Sequence, residues 1–319
     1  MEREPLECRP LGREPLAYLA AALRGVGQVG LQPHLLTGAL VLAGLWAAGR
    51  EVGLPATLGT LVSTAAAYAL GVDRGSVVLG LQGYSGCLTG IALVGSLGDH
   101  PAAYALTAVG CVLCTVLTAA LTALLGPYGL PVLTAPFCLA TGALLAAAPA
   151  FGRLPHPAAV TVPAPVTAPG ALTCSDLWHA FFANVSQVFL VDDWHVGLIV
   201  LAGLACAGAR AVLAAALGSA AGTATAWALG APAAQVAAGL HGYNAVLVGI
   251  ALGAVLLPET PWNAGYALFG AALSTGLAAA LTALLAPLGG RTLTWPFVLT
   301  TWALLAAAPH LPRLRAATA

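Results

Sequence analysis

The chain is written twice. LQGYSGCLTGIALV (81–94) matches LHGYNAVLVGIALG (240–253) at eight of fourteen positions, offset 159. TAPFCLATGALLAAAP (134–149) matches TWPFVLTTWALLAAAP (294–309) at twelve of sixteen, offset 160. ALTALL stands at 120–125 and again at 280–285, and GVGQV (25–29) pairs with NVSQV (184–188). A repeat this long predicts two like structural units, with a one-residue slip between 253 and 280. The division is a first repeat over 1–151, a Pro-rich linker over 152–170 and a second repeat over 171–319. The linker composition suits a semi-rigid extended segment.

What surrounds the repeat is apolar. Of 319 residues, 60% are hydrophobic and 7% charged, and mean hydropathy is +0.92. A soluble domain carries about 25% charged residues, so this surface is built for lipid. The formal net charge is zero, which leaves no basis for nucleic-acid binding. The opening residues, MEREPLECRPLGREP, mix acids and bases and do not read as a cleavable signal. Seven cysteines are scattered, and Cys111 and Cys114 form a CxxC inside an apolar run, where buried small hydrophobes are expected.

Each half parses alike. A first piece ends at the Gln-Val motif, near 16–31 and 177–190. Apolar runs follow at 35–49, 54–72, 77–98, 102–125 and 134–150, matched by 194–209, 212–229, 235–257, 265–285 and 294–309. Five crossings per half is odd, so the second half is expected upside down relative to the first, with a site at their interface. The expected fold is an all-α polytopic membrane protein. It has two inverted five-helix repeats, each with a re-entrant half-membrane helix, and about ten spans around a central pore. All eleven basic residues are Arg. Eight of them (3, 9, 13, 24, 74, 210, 313 and 315) share one side against Arg50, Arg153 and Arg291, which predicts cytoplasmic termini.

Symmetric polar residues mark the candidate site. The run from Thr294 to Pro309 is sixteen residues, roughly 24 Å of helix against a hydrocarbon core of about 30 Å. A helix starting there begins within the membrane. Thr134 and Thr294 fit two roles: plain helix caps, or hydroxyls at helix starts that meet near the midplane. There the preceding Val132-Leu133 and Thr292-Leu293 would be unwound and could show carbonyls to a cavity. Gln28 and Gln187 occupy equivalent places, and a primary amide both donates and accepts; bonding to a neighbouring helix end or lining a pore both fit. Tyr84 and Tyr243, with Leu88 and Leu247 one turn on, are either packing or pore wall. Gly86/Gly90 and Gly249/Gly253 have the spacing of close helix contacts. No Asp, Glu or Arg lies deep in the apolar runs, which argues against ion-coupled carriage.

These residues resemble the urea transporter family. LPVLTAPF (130–137) and TLTWPF (292–297) are similar to its two LPxxTxPF signatures. LRGVGQVGL (23–31) and ANVSQVFL (183–190) resemble its glutamine motifs, and the stretches at 72–90 and 239–249 its GYN segments. The resemblance implies a passive urea channel in the cell membrane, surrounded by lipid, with one pore per protomer in a homotrimer and no cofactor. It implies that Gln28, Gln187, Thr134 and Thr294 line the filter. Val29, Val188, Leu31, Leu190, Tyr84, Tyr243, Leu88 and Leu247 would form its narrow walls. The sequence departs from the family pattern at Leu31 (often Phe), Gln32-Pro33, Asp192-Asp193-Trp194, Cys138, Val298 and Ser85.

Other small neutral solutes (ammonia, short amides, water) are the alternative cargo. Ammonia channels use a pair of pore histidines; here His241 faces Gln82 in the repeat, so it is expected to be a packing histidine. HExxH, GxSxG and a Gly-rich phosphate loop are missing from the sequence, so an enzyme is not expected.

Overall fold

A computed structural model describes residues 15–154 and 173–314 of the chain. The linker expected at 152–170 lies outside the described residues from 155 onward. The first half runs α1 (Pro15–Gln28), α2 (Leu35–Ala48), α3 (Arg50–Ala69), α4 (Arg74–Val78), α5 (Gly83–Leu97), α6 (Pro101–Leu125) and α7 (Ala135–Ala147). The second repeats the order with α8 (Cys174–Ser186), α9 (Trp194–Ala207), α10 (Ala209–Ala228), α11 (Ala233–Ala237), α12 (Tyr243–Ile250), α13 (Pro261–Leu285) and α14 (Trp295–Ala307). The described residues contain helices and turns but no strand. The composition accounts for this, because apolar helix formers run for long stretches and every helix satisfies its own backbone.

Four helices among the described residues are long and apolar enough to cross a membrane: α3, α10, α13 and Pro101–Tyr128. Cys174–Phe189 and Trp194–Ala207 form a pair bent by 75°. Leu35–Ala48, Gly83–Leu97, Ala135–Ala150 and Tyr243–Val255 are apolar but shorter. Fourteen residues make about 21 Å of helix, less than the hydrocarbon thickness. By length alone, four or five spans qualify among the described residues, against the ten expected.

Two of the expected continuous runs, 77–98 and 235–257, are broken. The chain leaves α4, turns at Gly80 (φ 78) and re-enters as α5. It does the same between α11 and α12 at Gly239 (φ 73). Hydropathy hardly shows these breaks, because each turn carries a single polar residue, Gln82 or His241, among apolar ones. The one-residue slip between the repeats lies beyond α12. There Ala251–Val255 winds as a π-helix, a turn that holds more residues than an α-turn. The next helix, α13, begins 160 residues after α6. Arg210 closes this end by donating to Gly253 O (3.2 Å) and Leu257 O (3.0 Å) and pairing with Glu259 at 2.8 Å.

Close helix packing follows the small-residue spacing. A Cβ at Gly90 would lie 2.1 Å from Pro55 O, and one at Gly86 2.3 Å from Gly59 O, so α5 presses its backbone on α3. Gly249 stands likewise 2.6 Å from Ala214 O, whereas Gly253 has ordinary room. The halves meet through α2 and α9, where Thr37 Oγ1 donates to Gly203 O at 2.7 Å, and through α7 and α14.

Candidate functional site: a hydroxyl pair between the two halves

The starts of α7 and α14 converge. Thr134 Oγ1 and Thr294 Oγ1 lie 2.7 Å apart, both buried. Cys138, one turn into α7, places its Sγ 3.2 Å from Thr294 Oγ1. The convergence is asymmetric, because the position matching Cys138 in the second half is Val298.

Each threonine follows a strained leucine. Among the described residues, the non-glycine residues with positive φ are Leu31 (58), Leu133 (52), Leu190 (60) and Leu293 (46). A left-handed leucine costs about 1–3 kcal/mol, and such strain persists only where the surroundings over-determine it. Tyrosines provide that constraint. Tyr84 Oη donates to Leu133 O, and Tyr243 Oη donates to Leu293 O at 2.7 Å. The unwound stretches before the threonines are thus present, with the two leucine carbonyls held by tyrosine hydroxyls. Trp302 Nε1, on α14, reaches across and donates to Pro131 O at 2.7 Å.

Leu31 and Leu190 close the turns after the Gln-Val motifs. Their N–H groups bond Gln28 O and Gln187 O, both at 2.9 Å. The glutamine side chains anchor on the ends of the short helices: Gln28 Nε2 donates to Leu79 O and Gln187 Nε2 to Ala238 O, each at 3.0 Å. This is the helix-end bonding that an amide in an apolar setting requires. Neither Oε1 has a protein partner among the described residues.

The eight apolar site residues share one core cluster. Val29, Tyr84, Leu88, Val188 and Leu247 are buried in it with Leu133 and Leu293, and Leu31, Leu190 and Tyr243 pack against it. That cluster holds the leucines that precede the two threonines, whereas the two glutamines bond the ends of separate short helices. A recess of about 450 Å³, lined in part by Asp192, Asp193, Trp194 and His195, opens beside Ala238. Asp193 is engaged there as the α9 cap, accepting from His195 N at 2.8 Å. His241 bonds Gln235 Oε1 at 3.1 Å through Nε2, a packing role.

Sequence reading did not find the left-handed leucines, because leucine is the wrong residue type to signal that conformation. It also passed over Asn244, whose Oδ1 accepts from Phe297 N at 3.1 Å. The signal available was the difference from Ser85 directly after the matching Gly-Tyr pair.

A family model described as urea transporter matches residues 19–309. The chain is 31% identical over 303 residues to Urea transporter 1 of Ovis aries, covering 90% of this chain and 76% of that protein. The same protein of Capra hircus gives the same figures. That of Rattus norvegicus is 30% identical over 299 residues, with the same coverage.

Proposed function

Since the chain belongs to the urea transporter family, we propose that it is a membrane channel passing urea down its gradient. The solute path runs through the locus where Thr134 and Thr294 meet. In this reading the halves are inverted repeats, α1 and α8 are re-entrant, and Gln28 and Gln187 flank the hydroxyl pair on opposite sides. The termini face the cytoplasm, and three copies assemble with one pore each. Exposed Val109, Val112 and Val116 on α6, and Leu268, Phe269 and Leu273 on α13, would meet lipid or neighbouring copies.

The observation that carries the reading is the 2.7 Å contact between the two threonine hydroxyls, one from each half, inside an apolar cluster. Two hydroxyls offer two protons and four lone pairs. Their mutual bond uses one of each, and the Cys138 contact engages one more position on Thr294. The remaining lone pairs can accept N–H groups from a passing amide. Urea is flat and uncharged, with four N–H donors around one carbonyl. Apolar walls at Tyr84, Leu88, Tyr243 and Leu247 would select its flatness, and oxygens along the edge would replace its water step by step. Conduction needs wells deep enough to admit the solute and shallow enough to release it.

Stopped-flow light scattering on proteoliposomes tests this. Saturable urea influx without an ion gradient is the expected result, and influx equal to empty liposomes overturns it. Thr134→Val and Gln187→Leu should each slow urea strongly while leaving assembly intact. If both conduct like the parent, the site assignment fails.

A further inference from the structure

Threonine caps helices in this protein in two different ways. Thr173 and Thr260 have extended backbones (φ −85, ψ 164; φ −138, ψ 153), and their side chains accept from Asp176 N and Asn263 N. That is the usual geometry of a side-chain cap. Thr134 (φ −86, ψ 14) and Thr294 (φ −99, ψ 20) precede α7 and α14 with no side-chain cap bond. A helix start still has free amides to satisfy, and a buried one left unpaired is destabilising. At α14 the N–H of the third residue, Phe297, finds its acceptor elsewhere: Asn244 Oδ1, from α12, at 3.1 Å.

We infer that Asn244 is a positioning residue: by capping α14 at Phe297 N it fixes the start of that helix, and with it the Thr294 hydroxyl that pairs with Thr134. Asn244 is fully buried, and its Nδ2 has no partner. A buried donor left unpaired is kept only against a penalty, which marks the side chain as serving the Phe297 bond. The first half lacks the device. Ser85 stands at the matching position, one heavy atom shorter from backbone to oxygen, and its buried Oγ has no partner. Thr134 therefore takes its orientation from Thr294, which Asn244 and the Cys138 contact both support. The hydroxyl pair is thus steadied by Asn244 from the second half and by Cys138 from the first. This rests on the reading of the pair as part of the solute path.

The test is a mutant cycle read as urea permeability in proteoliposomes. Asn244→Ser copies the first half; with no acceptor for Phe297 N, the start of α14 loosens and the Thr294 hydroxyl is no longer held against Thr134. Urea flux should fall about five- to tenfold, the effect of one lost hydrogen bond. In a Thr294→Val background, Asn244→Ser should change nothing further, because the hydroxyl it positions is gone. Effects that multiply in that background would mean that Asn244 only supports packing, and would overturn the inference. Unchanged flux in a folded Asn244→Ser protein would also overturn it. Should that variant fail to fold, Ser85→Asn decides: a second amide cap should raise flux or lower the half-saturating urea concentration, and no change refutes. If Thr294→Val itself conducts like the parent, it is the channel-site reading that falls, distinguishable from failure of Asn244 alone.

Discussion

Tyr84→Phe removes one oxygen and nothing else. The ring stays in the core cluster, but Leu133 O loses its donor. Leu133 is 6% exposed, so water does not readily replace the hydroxyl. An unsatisfied buried acceptor costs about 1–3 kcal/mol. Leu133 also sits at φ 52, a conformation that costs a similar amount unless its surroundings hold it. Taking about 2 kcal/mol as the centre, and about 2 °C per kcal/mol for a chain of this size, the melting temperature should fall by roughly 4 °C. Urea flux should fall with it, because Leu133 directly precedes Thr134. Tyr243→Phe should act in the same direction but more weakly, since its ring is only partly buried. Tryptophan fluorescence on heating, paired with stopped-flow flux, measures both quantities. Wild-type melting and wild-type flux in Tyr84→Phe would show that the tyrosine does not hold the strained turn, and the reasoning would fail.

Two further outcomes follow from the packing and the caps. Gly90→Ala should impair folding or assembly, because a Cβ there would lie 2.1 Å from the Pro55 carbonyl oxygen, whereas Gly253→Ala, with 3.5 Å to its nearest neighbour, should be tolerated; equal yields of folded protein by gel filtration would refute the distinction. At the start of α8, the Asp176 carboxylate accepts from Thr173 N and Thr173 Oγ1, both at 2.8 Å, which holds its pKa below the usual value. Its stabilisation is therefore present above the unfolded pKa, about 3.9, and lost as pH falls through the folded value. The protection factor of the Leu177 amide should drop between about pH 5 and pH 3 in the parent and stay flat in Asp176→Asn; matching profiles would refute it.

The repeat made most of the architecture legible. Helix ends at 48, 125 and 285 agree with the sequence runs within a residue or two, because Gly, Pro and apolar periodicity mark them in the chain itself. The breaks at Gly80 and Gly239 were hidden inside continuous apolar stretches, where hydropathy carries no information about backbone direction. At the site, Thr134 and Thr294 were readable as a pair because they recur beside Pro-Phe. Their direct contact was not, since it depends on how two distant segments dock. The glutamines were readable as residues that need partners. Which carbonyls serve, Leu79 and Ala238, depends on the turns after α4 and α11.

The indole bond from Trp302 to Pro131 has a consequence for how the molecule can be taken apart. Gly142 stands where Trp302 would in the first half, so the matching crosslink cannot form in the other direction. Each unit now carries parts its sibling lacks. A pair of identical N-terminal pieces would have neither the tryptophan clasp nor the asparagine, while separately expressed, unlike fragments retain every complementary group. In this chain the two halves are therefore not interchangeable.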